Sequence, residues 1–333
     1  MTISKTTTIA KVAEMAGVSI ATVSRIINQT GYVKPETRQK VLDAMKELNF
    51  HAKEAEESPI TNTRAILVCV PNFDNPFNSG LIQGIQAITV NRNYRAFYYE
   101  ARDFFNVLSD YTTIMKHYNF CGILLVHNVT NPDLLTELRL RYPVVMCSEH
   151  CNPPDISFVS IDDFRAAQNA VNFLATVGRK KIALINSSLK HNYAKHREKG
   201  YKAALLNLGL SYRPEWVAHI SDINFDMAVA AASGIITSSE RPDAFFCVSD
   251  VFAAAVIKAA KDNHLRIPED IAVVGFDNID LSTMTIPPLT TIKQPSFQIG
   301  QQACEMLLNQ IENPSITPKH VILDTELIVR GST

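Results

Sequence analysis

From residue 65 onward, short apolar runs alternate with helical stretches, most of them ten or more residues long, and few architectures accommodate that pattern. The runs fall at 65–70, 95–99, 121–126, 144–147, 158–161, 181–185, 244–248 and 271–276. They read as buried strands, and buried strands alternating with amphipathic helices form parallel sheets covered by helices on their faces. Roughly 270 residues exceed one comfortable doubly wound core. The fold class expected is therefore α/β, with the large domain divided into two lobes.

The first fifty residues follow a different rule. Thr8 is placed to cap a helix whose Ile9, Val12, Ala13 and Ala16 share one face. Gly17 ends it, because glycine turns the chain sharply without strain. Ser19 caps a second helix over residues 20–28, and Pro35 suits the first position of a third that ends near Leu48. Three short helices, the first two separated by Gly17-Val18-Ser19, form a helix-turn-helix pattern. Domain bounds are thus expected at 1–50 for an all-α headpiece, 51–64 for a linker without hydrophobic period, and 65–333 for the α/β domain.

On the second helix, Val23, Ile26 and Ile27 share the face that packs on the first. Ile20, Ala21, Ser24, Arg25 and Asn28 then face outward. Arg25 can donate two parallel hydrogen bonds to a guanine edge, and Ile20 and Ala21 can pack on thymine methyls. Thr22, Ser24 and Asn28 can bond phosphates, which sets register without reading sequence. By spacing alone, the same face suits an ordinary solvated helix bundle. Residues 1–53 carry eight Lys and Arg against four Asp and Glu, a local basic surplus in a chain whose formal net charge is −1. That balance excludes a protein coating nucleic acid over its whole surface.

Residues 1–10 are polar, without the apolar core of a signal peptide, and no apolar run approaches the roughly 18 residues of a membrane span. The six cysteines lie mostly inside apolar strand-like stretches, as at Cys69 and Cys247, which suits buried thiols in a reducing compartment. A cytoplasmic location and no membrane partner are expected. The stretch from Cys147 to Cys151 contains Glu149 and His150, but no second pair of ligands follows at metal-site spacing. His191 and His196 are five apart, unlike the one-face pair of a zinc protease. There is no glycine-rich phosphate loop and no nucleophile elbow, so no metal, no cofactor and no enzymatic activity are expected.

The segment Thr8–Asn28, followed by Val33-Lys34-Pro35-Glu36-Thr37-Arg38, resembles the headpiece of the lactose-repressor family without a gap. The resemblance continues through Asp74-Asn75-Pro76-Phe77, Gly275-Phe276-Asp277-Asn278, Pro288-Leu289-Thr290-Thr291-Ile292 and the tail Glu326–Ser332. It implies a DNA-binding repressor, with Thr8, Ser19, Ile20, Ala21, Thr22, Ser24, Arg25, Asn28 and Thr37 at the DNA. It also implies a periplasmic-binding-protein-like sensing domain whose lobes are about 65–160 plus 292–324 and about 161–290 plus 325–333. Three strands would cross between them, near 159–161, 290–292 and 324–325.

The effector would lie between the lobes. By resemblance, Asp277 and Arg197 are its principal hydroxyl binders, the carboxylate accepting and the planar guanidinium donating. Phe77, Asn78, His191, Tyr193, Phe225 and Ser249 complete the implied set. By spacing alone Asp277 suits a strand-end turn and Arg197 a solvated helix charge. Residues 275–281 and the tail most resemble the nucleoside-responsive branch of the family, which points to a nucleoside such as cytidine; a pentose or hexose is the alternative. Two positions depart from the pattern: Asn78 stands where relatives often carry a second Phe, and Ile223 where they carry an aromatic, unless Phe225 supplies that ring.

The remaining expectations concern partners. A single recognition helix covers few base pairs, so a homodimer on a pseudo-palindromic double-stranded DNA operator is expected. Relatives place a leucine-bearing hinge helix after the headpiece; here Pro59 follows Glu54, Glu56 and Glu57, which would meet phosphates as like charges. A loose tether, tolerant half-site spacing and support from a neighbouring DNA-bound activator are the consequence. A soluble sugar-transport protein and an α/β nucleoside hydrolase or kinase are the competing classes, disfavoured by the headpiece and the missing phosphate loop.

Overall fold

The computed structural model describes residues 8–27, 33–48, 50, 64–101, 107–127, 129, 132–149 and 155–333. The chain divides into two compact units, Met1–Thr63 and Arg64–Thr333. Asn28, the stretch 51–63 with its Glu54, Glu56, Glu57 and Pro59, and Cys151 lie outside the described residues.

The first unit contains α1 (Ile9–Ala16), α2 (Ile20–Ile27) and α3 (Pro35–Glu47). Gly17 ends α1 in the left-handed conformation at φ 62°, and the Val18 N–H returns to the Ala13 carbonyl at 3.0 Å. Ser19 caps α2, its Oγ accepting from the Thr22 N–H at 3.2 Å. Thr8 takes the capping position before α1 with extended backbone, but its hydroxyl makes no capping bond. Its carbonyl, which accepts from Lys11 and Val12, holds the first turn instead. Val12, Ala13, Val23, Ile26, Val41 and Ala44 form the core.

In the second unit, β1 (Ala65–Val70), α4 (Phe77–Asn91), β2 (Arg95–Glu100), α5 (Val107–His117), β3 (Gly122–Leu125), α6 (Pro132–Arg141), β4 (Val144–Cys147) and β5 (Ser157–Ile161) come first. Then follow α7 (Asp163–Thr176), β6 (Ile182–Ser187), α8 (Asn192–Asn207), β7 (Val217–Ile220), α9 (Phe225–Ile236), β8 (Ala244–Cys247), α10 (Asp250–Asp262) and β9 (Ala272–Asp277). The chain closes with α11 (Leu281–Met284), β10 (Thr290–Lys293), α12 (Ser296–Glu312), β11 (His320–Leu323) and β12 (Glu326–Ile328).

Two six-stranded sheets result, ordered β11-β5-β4-β3-β1-β2 and β12-β10-β9-β8-β6-β7. Every pairing is parallel except β10 with β12, where Thr291 faces Ile328. Along β1, Ile66, Val68 and Val70 join one apolar cluster while Ala65, Leu67 and Cys69 join another on the opposite face. Burial on both faces is why this strand is a continuous apolar run. Strands β7, β11 and β12 are half-exposed edge strands of three or four residues with only one buried residue, Ile220, so no apolar run longer than three residues marks them in the sequence.

The chain passes between the sheets after β5, after β10 and after β11. The crossings thus begin just beyond Ile161, Lys293 and Leu323. At the first crossing the Asp162 carboxylate accepts from the Arg165 N–H at 2.9 Å and starts α7. Helix α7 packs on α8 and the second sheet, whereas α12 packs on α4 and the first. Among the described residues, no helix is long and apolar enough to cross a membrane.

Candidate functional site

Helix α2 buries Val23 and Ile26 and leaves the described residues of its candidate reading face exposed or half-buried. Ile20 is 56 % exposed, Ala21 and Arg25 are exposed, and Thr22 and Ser24 are half-buried. The Ser19 and Thr22 hydroxyls lie 2.9 Å apart, so Ser19 orders the helix start and orients Thr22 at once. Thr37, in the first turn of α3, is half-buried. The face thus offers one guanidinium, apolar surface from two residues, and hydroxyls.

In the second unit a cavity of about 370 Å³ lies among the carboxyl ends of both sheets, where ligands sit in open parallel sheets. Arg197 and Asp277 both line it. Arg197, 5 % exposed, donates from Nε to Asp163 Oδ1 at 2.7 Å and from Nη1 to the Val248 carbonyl at 2.7 Å. Its Nη1 stands 4.0 Å from Asp277 Oδ1. The guanidinium also lies over the Phe276 ring, 3.5 Å from its centroid, and beside Tyr193 at 4.9 Å. A solvated charge has none of these partners; this one is fixed in a plane.

Asp277 ends β9 with φ at 108°, and Asn278 follows at 57°, so the chain turns through two left-handed residues at the cavity wall. Such backbone persists only where the surroundings impose it. Gln294, just past β10, donates from Nε2 to Asp277 Oδ1 at 2.7 Å. Burial pushes the Asp277 carboxyl well above the usual carboxylate range, against the pull of Arg197.

Phe77, Asn78, His191, Tyr193 and Ser249 also line the cavity. His191 and Tyr193 stack at 5.2 Å with their planes 22° apart at the start of α8, and burial lowers the His191 pKa. Asn78 donates from Nδ2 to the Asn72 carbonyl at 2.8 Å, a bond that ties the first turn of α4 to the loop after β1. Ser249 Oγ accepts from the Phe252 N–H at 3.2 Å and caps α10, leaving its hydroxyl proton for a second partner. Phe225 does not line the cavity. As the first residue of α9 it packs half-buried on the core, and Ile223 takes the wall position, so the aromatic that the sequence lacks at 223 is not replaced.

Other lining residues were not singled out from the sequence: Asn72, His127, Glu149, Asp222 and Gln294 among them. They follow the ends of β1, β3, β4, β7 and β10, so strand-end position was the available signal. His127 Nε2 lies 2.8 Å from the Tyr111 hydroxyl. Among the described residues, no group of three or more His, Cys, Asp or Glu is placed to hold a metal ion.

Residues 8–53 match the family described as bacterial regulatory proteins, lacI family, and residues 171–333 match the periplasmic binding protein-like domain. The HTH-type transcriptional repressor CytR of Escherichia coli (strain K12) is 33 % identical over 328 residues, 98 % of this chain and 96 % of that protein. A crystal structure of an uncharacterized protein from Actinobacillus succinogenes shares 34 % identity with a TM-score of 0.77, covering 81 % of this chain and 99 % of the other. The transcriptional regulator CelR in complex with cellobiose shares 28 % identity with a TM-score of 0.75, covering 98 % and 100 %.

Proposed function

The chain belongs to the lacI family of bacterial regulatory proteins, and from that premise we propose a repressor whose operator binding is set by a nucleoside, cytidine first, held between the lobes of the second unit. The supporting observation is the composition of the cavity wall. Arg197 and Asp277 offer fixed polar partners for adjacent hydroxyls, while Phe77 and the stacked His191–Tyr193 pair offer ring faces. A ribose attached to a base needs both. The cavity volume of about 370 Å³ falls in the range of small-molecule sites, about 300–1,000 Å³. In the same reading α2 lies in the major groove with Arg25 on a guanine edge, Ile20 and Ala21 on thymine methyls, and Thr22, Ser24, Asn28 and Thr37 on phosphates.

A sugar effector is the second reading, favoured by Asn78 and Ile223, which make the wall less aromatic. A thermal-shift series with cytidine, uridine, adenosine, ribose and cellobiose, run beside gel shifts on a selected operator, separates the two. A nucleoside at about 100 times its Kd should stabilise the protein by about 2.7 kcal/mol and change operator affinity. Response to a sugar without response to any nucleoside would sink the nucleoside reading and retain the regulator.

A further inference from the structure

Among the described residues, six other than glycine have a positive φ, and five of these are Asn, Asp or His, the types that enter the left-handed region most readily. Asn93, Asn119 and His264 closely follow the ends of α4, α5 and α10, where a left-handed residue is an ordinary helix stop. Ser148, at φ 68°, is the exception in type. It stands one residue past β4, on the first lobe's side of the cavity, and lines it.

Strand β5 imposes this conformation. The Ser148 N–H donates to the Val159 carbonyl at 2.8 Å, and the Ser148 carbonyl accepts from the hydroxyl of fully buried Ser160 at 3.1 Å. Both backbone groups are thereby committed. The Ser148 hydroxyl makes no hydrogen bond among the described residues, yet it is not sealed in: it keeps accessible surface on a half-buried residue of the cavity wall. Strained backbone persists where the surroundings impose it, and here it presents an unpaired hydroxyl to the cavity. Asp277, at φ 108°, is the corresponding strand-end residue of the second lobe's wall.

Resting on the nucleoside reading, we propose that Ser148 is a specificity-determining residue whose hydroxyl hydrogen-bonds the polar edge of the effector's base. Position decides which part of the effector it meets. Arg197 and Asp277 belong to the second lobe and take the ribose hydroxyls in that reading. Ser148 shares the first lobe's wall with Phe77, which opens α4 after β1, and Val126, just past β3. Strands β1, β3 and β4 are neighbours in one sheet, so the ends of β1 and β4 stand about 10 Å apart, with apolar Val126 between them. A flat heterocycle suits that interval, its faces against Phe77 and Val126 and its edge at Ser148. A hydroxyl both donates and accepts, so it serves a ring nitrogen, a carbonyl oxygen or an exocyclic amine.

The test is calorimetry on the full chain for wild type, Ser148→Ala and Ser148→Gly, with circular dichroism confirming each fold. The ligands are cytidine, uridine, adenosine and a C-phenyl riboside, which keeps the ribose and a ring but has no polar edge. Both variants lose the hydroxyl, but only glycine relaxes the left-handed backbone, so a role in the turn alone would separate them. Affinity for the nucleosides that wild type binds should fall about tenfold in both variants, the loss of about one hydrogen bond. The phenyl riboside should bind all three proteins within about twofold of one another. Wild-type nucleoside affinity in either variant, or equal weakening of the phenyl riboside, overturns the role of Ser148 alone. No nucleoside binding to wild type overturns the effector reading, and this role with it.

Discussion

At the scale of single residues, the two units make separable demands on their key side chains. Arg25 is the one exposed guanidinium of α2. Arg25→Ala should cost about 1–3 kcal/mol of operator binding and relax preference at one position in each half-site, which binding-site selection on both proteins would reveal. Retained specificity would mean that α2 is not the reader. Asp277→Ala should remove the response to ligand while leaving operator binding intact. Losing one partner of a charged hydrogen bond in a closed site costs about 2–5 kcal/mol, so calorimetry should show at least about 30-fold weaker binding. Wild-type ligand affinity in this variant would move the site elsewhere. Sequence resemblance pointed to Asp277 and Arg197, but their partners were hidden in it. Asp163 and Gln294 reach them from separate elements, 34 and 17 residues away.

At the scale of elements, α4 and α12 of the first lobe approach each other closely. A Cβ at Gly84 would run into the Phe297 carbonyl, and one at Gly300 into the Leu81 carbonyl, so each helix presses its backbone on the other. Gly84→Ala should destabilise the fold by about 1–3 kcal/mol, read as a lower denaturant midpoint, because backbone and not a flexible side chain blocks the methyl. Gly234, inside α9, has nothing within 4 Å of a Cβ. Gly234→Ala should raise stability by about 0.5–1 kcal/mol through helix propensity alone. Opposite signs for two Gly→Ala changes in helices test the packing directly. The resemblance motifs of the second lobe also converge here. Thr291 Oγ1 donates to Asp250 at 2.6 Å, Arg330 donates to Asn278 and to the Leu289 carbonyl at 2.7 Å each, and Ser332 donates to the Val273 carbonyl at 2.6 Å. Strings far apart in sequence thus form one cluster that ties the tail to the sheet.

At the scale of the whole molecule, α2 has eight residues and spans about 12 Å, enough for a few base pairs only. Tight and selective binding then calls for two headpieces. We expect sedimentation to give twice the 37.0 kDa of the chain and binding-site selection to return a pseudo-palindrome. A monomer at micromolar concentration, or an asymmetric site, would overturn this. The sequence by itself determined the fold class, because periodicity, caps and turn residues act over a few neighbours: Gly17, Ser19 and Pro35 bound the small helices, and the apolar runs mark the buried parallel strands. Three edge strands escaped, since β7, β11 and β12 have only three or four residues each and are half-wet; the longer edge strand β2 did not. Only the tertiary structure decided which candidates share a wall. Phe225 packs on the core and Ile223 lines the cavity, although only Asn224 separates them. Glu149 and Tyr193 come to line one cavity because the ends of two sheets meet at one cleft, and nothing in local spacing records an arrangement that only the folded lobes make.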